Sequence, residues 1–252
     1  MSGSSTRSRW SSAWEDILSG GNPRWRITSE ESHEKAYANF YRFLPEGTPS
    51  DDKIKNISVL CPLAGDDPFV HLLYRKGYSV TAIDLVSEAV EAMKAQFDGG
   101  DDSSWAKEED ENNDGSVTNI VWKHSSGRAT LIVGDAMKKR TNLNQSFDAV
   151  YDKDSFGALP KELRKPFCQR ISEYTKENGI LYLECKLKKG GDDSGPPFSL
   201  QRGDLMEDDN FGGGKFEYIK GLGRVYDLPG NMNAVMQQTG HVLRRCSRAA
   251  AP

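Results

Sequence analysis

Short apolar runs alternate along this chain with stretches whose apolar positions fall three or four residues apart. The runs at 57–61, 79–83, 117–122, 129–133, 147–151 and 179–185 have the length and β-branched content of strands. Thr28 to Leu44 reads as a helix: Thr28 and Glu31 form a capping box, and Tyr37, Phe40, Tyr41 and Leu44 give it an apolar face. Asp67-Pro68 is an N-cap followed by a first-turn proline, with Val70, Leu72 and Leu73 facing inward. Ser87 caps a third helix that buries Val90, Met93 and Phe97. Leu163, Phe167, Ile171 and Tyr174 space as a fourth, whose regular part starts only at Pro166, because an interior proline costs ~3 kcal/mol. Strand and helix alternate from 57 to 185, which predicts an α/β fold with a mostly parallel sheet and helices on both faces. Weaker strands near 216–219 and 241–243 predict an antiparallel edge.

Asp98 to Gly115 breaks the pattern, with eight acids against one lysine, and is expected to be a solvated insertion. The rest of the composition mainly excludes. A net charge of −4 over 252 residues argues against a nucleic-acid surface. No apolar run approaches the ~20 residues of a membrane span. Residues 1–28 lack the apolar centre of a secretory signal; the Ser/Arg-rich start reads as an unstructured leader in preference to a transit peptide. Cys61, Cys168, Cys185 and Cys246 are scattered and have no histidine at ligand spacing, so they read as reduced thiols in a cytoplasmic protein that binds no metal. The four histidines are far apart, and no Ser/His/Asp or Cys/His arrangement is evident.

The chemistry gathers where strands end. Val59 to Asp66 is an apolar run closing on a glycine turn, and Ser79 to Ile83 stops on Asp84. That order matches the opening of a nucleotide-type site: backbone near Gly65 passes the ligand, and Asp84 accepts from both ribose hydroxyls. Asp135 and the Ala136 amide, after 129–133, could meet an adenine edge. Asp152 and Asp154, after 147–151, could orient a substrate or accept a proton, with loop capping as the competing role.

These pieces together resemble the thiopurine S-methyltransferase family of class I S-adenosylmethionine-dependent enzymes, which is related to thiol/halide methyltransferases. The resemblance rests on Trp14-Glu15-Asp16 with Gly21 and Trp25, on Pro62-Leu63-Ala64-Gly65-Asp66, on Asp84, on Ser125-Ser126-Gly127, on Phe147-Asp148 through Lys153, and on Gly195-Pro196-Pro197-Phe198. It implies a Rossmann-like, seven-stranded sheet over residues 29–252, preceded by a leader and lid segment over 1–28. It implies S-adenosyl-L-methionine as cofactor, with Trp14, Leu63, Gly65, Asp84, Asp135, Ala136 and Lys153 at cofactor positions. Trp25 and Arg26 stand on the acceptor side, and Asp152 and Asp154 are the catalytic candidates. The implied acceptor is a small soft nucleophile: a thiol, a thiopurine-like sulfur or a selenium compound, with halide or a small amine or oxygen as alternatives. The expected state is a monomer without nucleic-acid or membrane partners. A non-catalytic cofactor-binding protein that docks through the acidic segment is the competing class. The chain departs from the family pattern at Ala64 and Asp66, where Cys and Lys are usual, at Leu18 for a second Trp, at Arg26 for His and at Lys153 for Arg.

Overall fold

The computed structural model describes residues 29–44, 56–111, 117–191 and 194–247, together with Ser12, Glu15 and Ser19. The expectations for Trp14, Trp25, Arg26 and Thr28 lie outside the described residues. In chain order the elements are α1 (Glu30–Tyr41), β1 (Ser58–Pro62), α2 (Pro68–Arg75), β2 (Ser79–Asp84), α3 (Ser87–Lys94), β3 (Trp105–Glu111), β4 (Val117–His124), β5 (Ala129–Val133), β6 (Phe147–Lys153), α4 (Ser155–Ala158), α5 (Lys161–Tyr174), β7 (Thr175–Lys188), α6 (Arg202–Leu205), β8 (Phe216–Arg224), α7 (Met232–Val235) and β9 (Met236–Arg245). Among the described residues there are nine strands, where the resemblance implied seven. The chain divides into two compact units, 1–26 with 61–136 and 27–60 with 137–252.

In the first unit the strands run in the order β3–β4–β5–β2. β2 and β5 are parallel, from Val80 beside Ala129 to Asp84 beside Val133. β4 is antiparallel to β5, and β3 to β4. Helices α2 and α3 pack on β2, and α3 also on β5; their Phe69, Val70, Leu73, Val90 and Met93 are buried. Asp67 caps α2 as its sequence announces, accepting from the Phe69 amide at 3.0 Å ahead of Pro68. Helix α3 takes Val86 as its cap, so Ser87 is its first helical residue and Phe97 lies beyond its end, though fully buried.

The acidic segment was expected to stay irregular, yet Trp105–Glu111 is a strand. Its acids alone could not order it, and neighbouring groups do. Trp105, 8 % exposed, packs edge-on against Phe97 and His124, at 5.3 and 4.9 Å between ring centroids. The Lys94 ammonium, 3.7 Å from the Trp122 ring centroid, reaches Glu91 at 3.0 Å and Asp102 at 3.1 Å. Asp98 accepts from His124 Nε2 at 2.7 Å.

The second unit orders its strands β1–β6–β7–β9–β8. β1, β6 and β7 are parallel, and β9 lies antiparallel between β7 and β8. Helix α1 is capped one residue later than expected: Ser29 accepts from the Ser32 amide at 3.3 Å. Its Phe40 is fully buried, edge-on to Tyr151 and Tyr182. Helix α5 continues through Pro166 from Lys161. The proline removes one early helical bond, and the buried Phe167, Cys168, Ile171 and Tyr174 outweigh that loss.

Trp105→Ala should cost about 3 kcal/mol, and the loss should be local. Hydrogen exchange should show β3 amides exchanging as in an unstructured chain while β5 and β6 stay protected. Unchanged protection of β3 would mean that Trp105 does not anchor the acidic strand.

Candidate active site

In the first unit the residues expected at the cofactor gather around one carboxylate. β1 ends at Pro62, and the chain turns through two left-handed residues, Leu63 (φ 47°) and Gly65 (φ 58°). The turn brings the Gly65 amide within 2.8 Å of Asp84 Oδ2, while Asp84 Oδ1 accepts from the Val86 amide at 3.0 Å. The Ala64 amide also donates to the carbonyl of Ile83, and the Gly134 amide to that of Asp84. Three strand ends are thereby tied: the β1 turn, the end of β2, and the residue before Asp135 and Ala136. Leu63, Gly65 and Asp135 are partly exposed; Ala136 is buried and Asp84 is 9 % exposed.

Burial raises the Asp84 carboxyl above the usual range, and the amides of Val86, Gly65 and Leu85 pull against that shift. A carboxylate offers about four acceptor positions, so three backbone amides leave room for a hydroxyl donor. The acceptor set thus fits a ribose diol, and the left-handed turn fits close passage of a ligand past backbone.

In the second unit the carboxyl ends of β6 and β7 carry a denser arrangement. Side chains alternate across a strand, so Tyr151 and Lys153 share one face and Asp152 lies on the other. The parallel register sets Tyr151 beside Tyr182 and Lys153 beside Glu184. Glu184, fully buried, accepts from the hydroxyls of Tyr182 at 2.8 Å and of Tyr226. Asp154, left-handed at φ 62°, accepts from Lys186 at 2.7 Å and from Gln238 Nε2 at 3.0 Å. Lys186 also donates to Gln238 Oε1, and Lys153 stands 3.8 Å from Asp154. Burial opposes the charge on Asp154, but Lys186 and Lys153 outweigh it and hold the group below the usual range.

Asp152 has different surroundings. Its Oδ1 accepts from the amides of Ser155 at 3.0 Å and Phe156 at 3.4 Å, holding the start of α4. Its Oδ2 has no hydrogen-bond partner. Burial pushes the group up to about 7 against the Phe156 and Ser155 amides, with the Asp154 charge adding to the rise. Its charge also helps raise the buried thiols of Cys168 and Cys185. The two candidate acids therefore sit in separate settings, one holding the start of α4 and one bound to Lys186.

Glu184, Lys186, Gln238 and the Tyr226 hydroxyl were not foreseen. A signal for two of them exists: Glu184, Lys186 and Lys188 alternate with Leu183, Cys185 and Leu187, so one face of an apolar strand is charged. Gln238 and Tyr226 arrive from distant sequence and carry no such mark. Among the described residues no group of three or more His, Cys, Asp and Glu could hold a metal ion, and no helix is long and apolar enough to cross a membrane.

The folded value of Asp152 lies above the unfolded one near ~3.9, so ionising it costs stability as pH rises from about 4 to about 7. Asp152→Asn keeps an acceptor for Ser155 and Phe156 and removes the titration. Between pH 5 and pH 8 its melting temperature should fall less than that of the unmodified protein, by an amount worth roughly 1–3 kcal/mol. Parallel stability–pH curves would show that Asp152 is not the buried acid responsible.

Comparisons with known proteins bear on the fold and the family. Two of the similar curated proteins are thiopurine S-methyltransferases: that of Psychrobacter cryohalolentis is 26 % identical over 149 residues, covering 59 % of this chain and 65 % of that protein. That of Legionella pneumophila is 27 % identical over 142 residues, covering 56 % and 59 %. The chain thus spans about three-fifths of the length of these relatives. Among solved structures, a methyltransferase from Anabaena variabilis described as S-adenosylmethionine-dependent superposes with a TM-score of 0.63 at 13 % identity, covering 95 % of each chain. A 1,6-didemethyltoxoflavin-N1-methyltransferase of Burkholderia thailandensis, solved with S-adenosylhomocysteine, gives 0.62 at 16 % identity, covering 96 % of this chain and 88 % of that one. These likenesses establish a Rossmann-like methyltransferase fold. The sequence model of thiopurine S-methyltransferase (TPMT) matches residues 24–219, most of the chain, and the protein belongs to that family.

Proposed function

We propose that this protein is an S-adenosylmethionine-dependent methyltransferase whose acceptor is a small soft nucleophile, foremost a thiol or thiopurine-like sulfur. The observation that carries the reading is the Asp84 carboxylate, held by the Gly65 amide across the β1 turn and still able to take a hydroxyl. When bound, the cofactor supplies an electrophilic methyl group on a sulfonium centre. The chain's part is to bind, orient and exclude water. Asp84 would hold the ribose, Gly65 and Leu63 would pass the ligand's middle, and Asp135 with the Ala136 amide would meet the adenine edge. Lys153 stands at a cofactor position of the family, and Trp14 would close as a lid. An aromatic face attracts a sulfonium by ~0.5–2 kcal/mol. Trp25 and Arg26 would contact the acceptor, and Asp152 and Asp154 would order the β6 end beside it.

Sulfur is favoured because a thiolate is a strong nucleophile and an alkyl thiol ionises near ~8.5. Alignment alone then supplies much of the rate, ~7–11 kcal/mol in well-oriented cases. No nucleophile of the protein's own is required.

Asp84→Ala should weaken S-adenosylhomocysteine binding by about 1–3 kcal/mol, read by calorimetry; unchanged affinity would remove the carboxylate from the site. Incubation with labelled S-adenosylmethionine and a panel of thiols, thiopurines, selenols and halides should give methylated thiol. Tight cofactor binding without product from any acceptor would leave a binding protein in place of an enzyme.

A further inference from the structure

A cavity of about 300 Å³ lies between the first turns of α5 and the segment that follows α6, wholly within the second unit. Two of its lining side chains are buried yet keep polar atoms free. Arg164 is 5 % exposed; its Nε donates to the carbonyl of Leu159 at 3.1 Å, and its two terminal nitrogens have no hydrogen bond or ion pair among the described residues. The Phe156 and Phe198 ring centroids lie 5.3 and 5.0 Å from the guanidinium carbon and confine that group. Asn210 is 4 % exposed. Its Nδ2 donates to the Asp204 carbonyl at 2.7 Å and to Glu207 Oε2 at 3.2 Å. Both partners are acceptors, so the nitrogen must face them, and Oδ1 is left with no partner among the described residues.

The exposed groups around these two divide by charge. Lys165 and Asp209 pair at 2.8 Å and cancel. Lys161 is one helical turn before Arg164 and so neighbours it on α5. Pro160, the N-cap, has no side-chain acceptor for the first amides of α5, which add positive potential at Lys161. Glu207 is bonded to Asn210, and Glu162 adds a second carboxylate to the lining. Cationic donors and anionic acceptors thus share one small cavity.

We propose that this cavity binds a free α-amino acid, with Arg164 and Lys161 taking its carboxylate and Asn210 Oδ1 with Glu207 taking its ammonium. A carboxylate matches the planar fork of a guanidinium. Burial pulls Arg164 below its usual range against the charges of Asp204 and Glu207, and a carboxylate on its terminal nitrogens would relieve that cost. Phosphate or a dicarboxylate would bring its negative charge against Glu162 and Glu207. A simple amine would leave the buried guanidinium unmet. The volume is at the small end of ligand sites, which suits one amino acid and not a nucleotide. No residue assigned to the cofactor or the methyl acceptor lines this cavity, so the inference stands apart from the methyl-transfer reading.

The test is calorimetric titration of the full chain with L-alanine, L-serine and L-leucine, each with and without saturating S-adenosylhomocysteine. At least one should bind saturably, with an affinity that S-adenosylhomocysteine leaves unchanged. Its N-acetyl and methyl-ester derivatives, each lacking one charge, should bind about tenfold more weakly or worse, and inorganic phosphate should not displace it. Lys161→Ala and Glu207→Gln should each weaken binding about tenfold, the effect of one lost charged hydrogen bond. Arg164→Lys keeps the charge without the fork and should also bind more weakly. Because Arg164 also holds the Leu159 carbonyl, the two exposed variants carry the decision. Absence of saturable binding by all three amino acids overturns the site, as does an N-acetyl derivative that binds as well as the free amino acid. Displacement by S-adenosylhomocysteine or by phosphate, or unchanged affinity in both exposed variants, overturns it equally, and none of these results touches methyl transfer.

Discussion

A strand paired on both sides and buried on both faces tolerates charge only where each charge is met, and β7 carries two such charges. Glu184 lies between β6 and β9, Lys186 lies beside β9 just past the end of β6, and both are almost wholly removed from water. Leaving either alone would cost several kcal/mol. The chain answers with partners from four separate segments: Lys153 at the end of β6 with Asp154 next to it, Gln238 on β9, Tyr226 after β8, and Tyr182 two residues earlier on β7 itself. This requirement explains why Asp154 accepts a left-handed backbone that favours glycine: the turn delivers its carboxylate to Lys186 and Gln238. It also gives the C-terminal third a purpose beyond completing the sheet, since β9 and the residues after β8 supply the groups that satisfy the face.

The first unit obeys the same rule on a smaller scale. Asp84 is nearly buried, and backbone amides of the β1 turn and of the residues leading into α3 stabilise it. A carboxylate in that position fixes the turn before any ligand arrives, so binding would not have to order the loop. The left-handed Leu63 and Gly65 follow from bending the chain tightly enough to reach it.

What could be read from the sequence followed periodicity and turn chemistry. The alternation from β1 to β7, the Asp67-Pro68 start of α2 and the carboxylate closing β2 were legible because each is local. Long-range context decided the rest. β3 was missed because its acids carry no strand signal; Trp105, Lys94 and His124 order it from outside the segment. The interruption expected at Pro166 does not occur, since buried neighbours on α5 carry the helix across it. Asp152 and Asp154 look alike on paper, two residues apart. The pleat and the turn after β6 separate them, so one caps α4 and the other meets Lys186.

The substitution of Lys for the family's usual Arg at position 153 has meaning beside Glu184. A guanidinium in register with that carboxylate could form a bidentate pair, which would hold the acid ionised far below neutrality. An ammonium is a point charge without the planar fork, and here it stands near Asp154. Glu184 accepts from its two tyrosine hydroxyls, and burial pushes it up to about 7 against those bonds and the Lys153 charge. In a site built around Arg, the acid would be a fixed counter-ion. With Lys153 the acid keeps a neighbouring charge without the paired bonds that would fix it as a counter-ion.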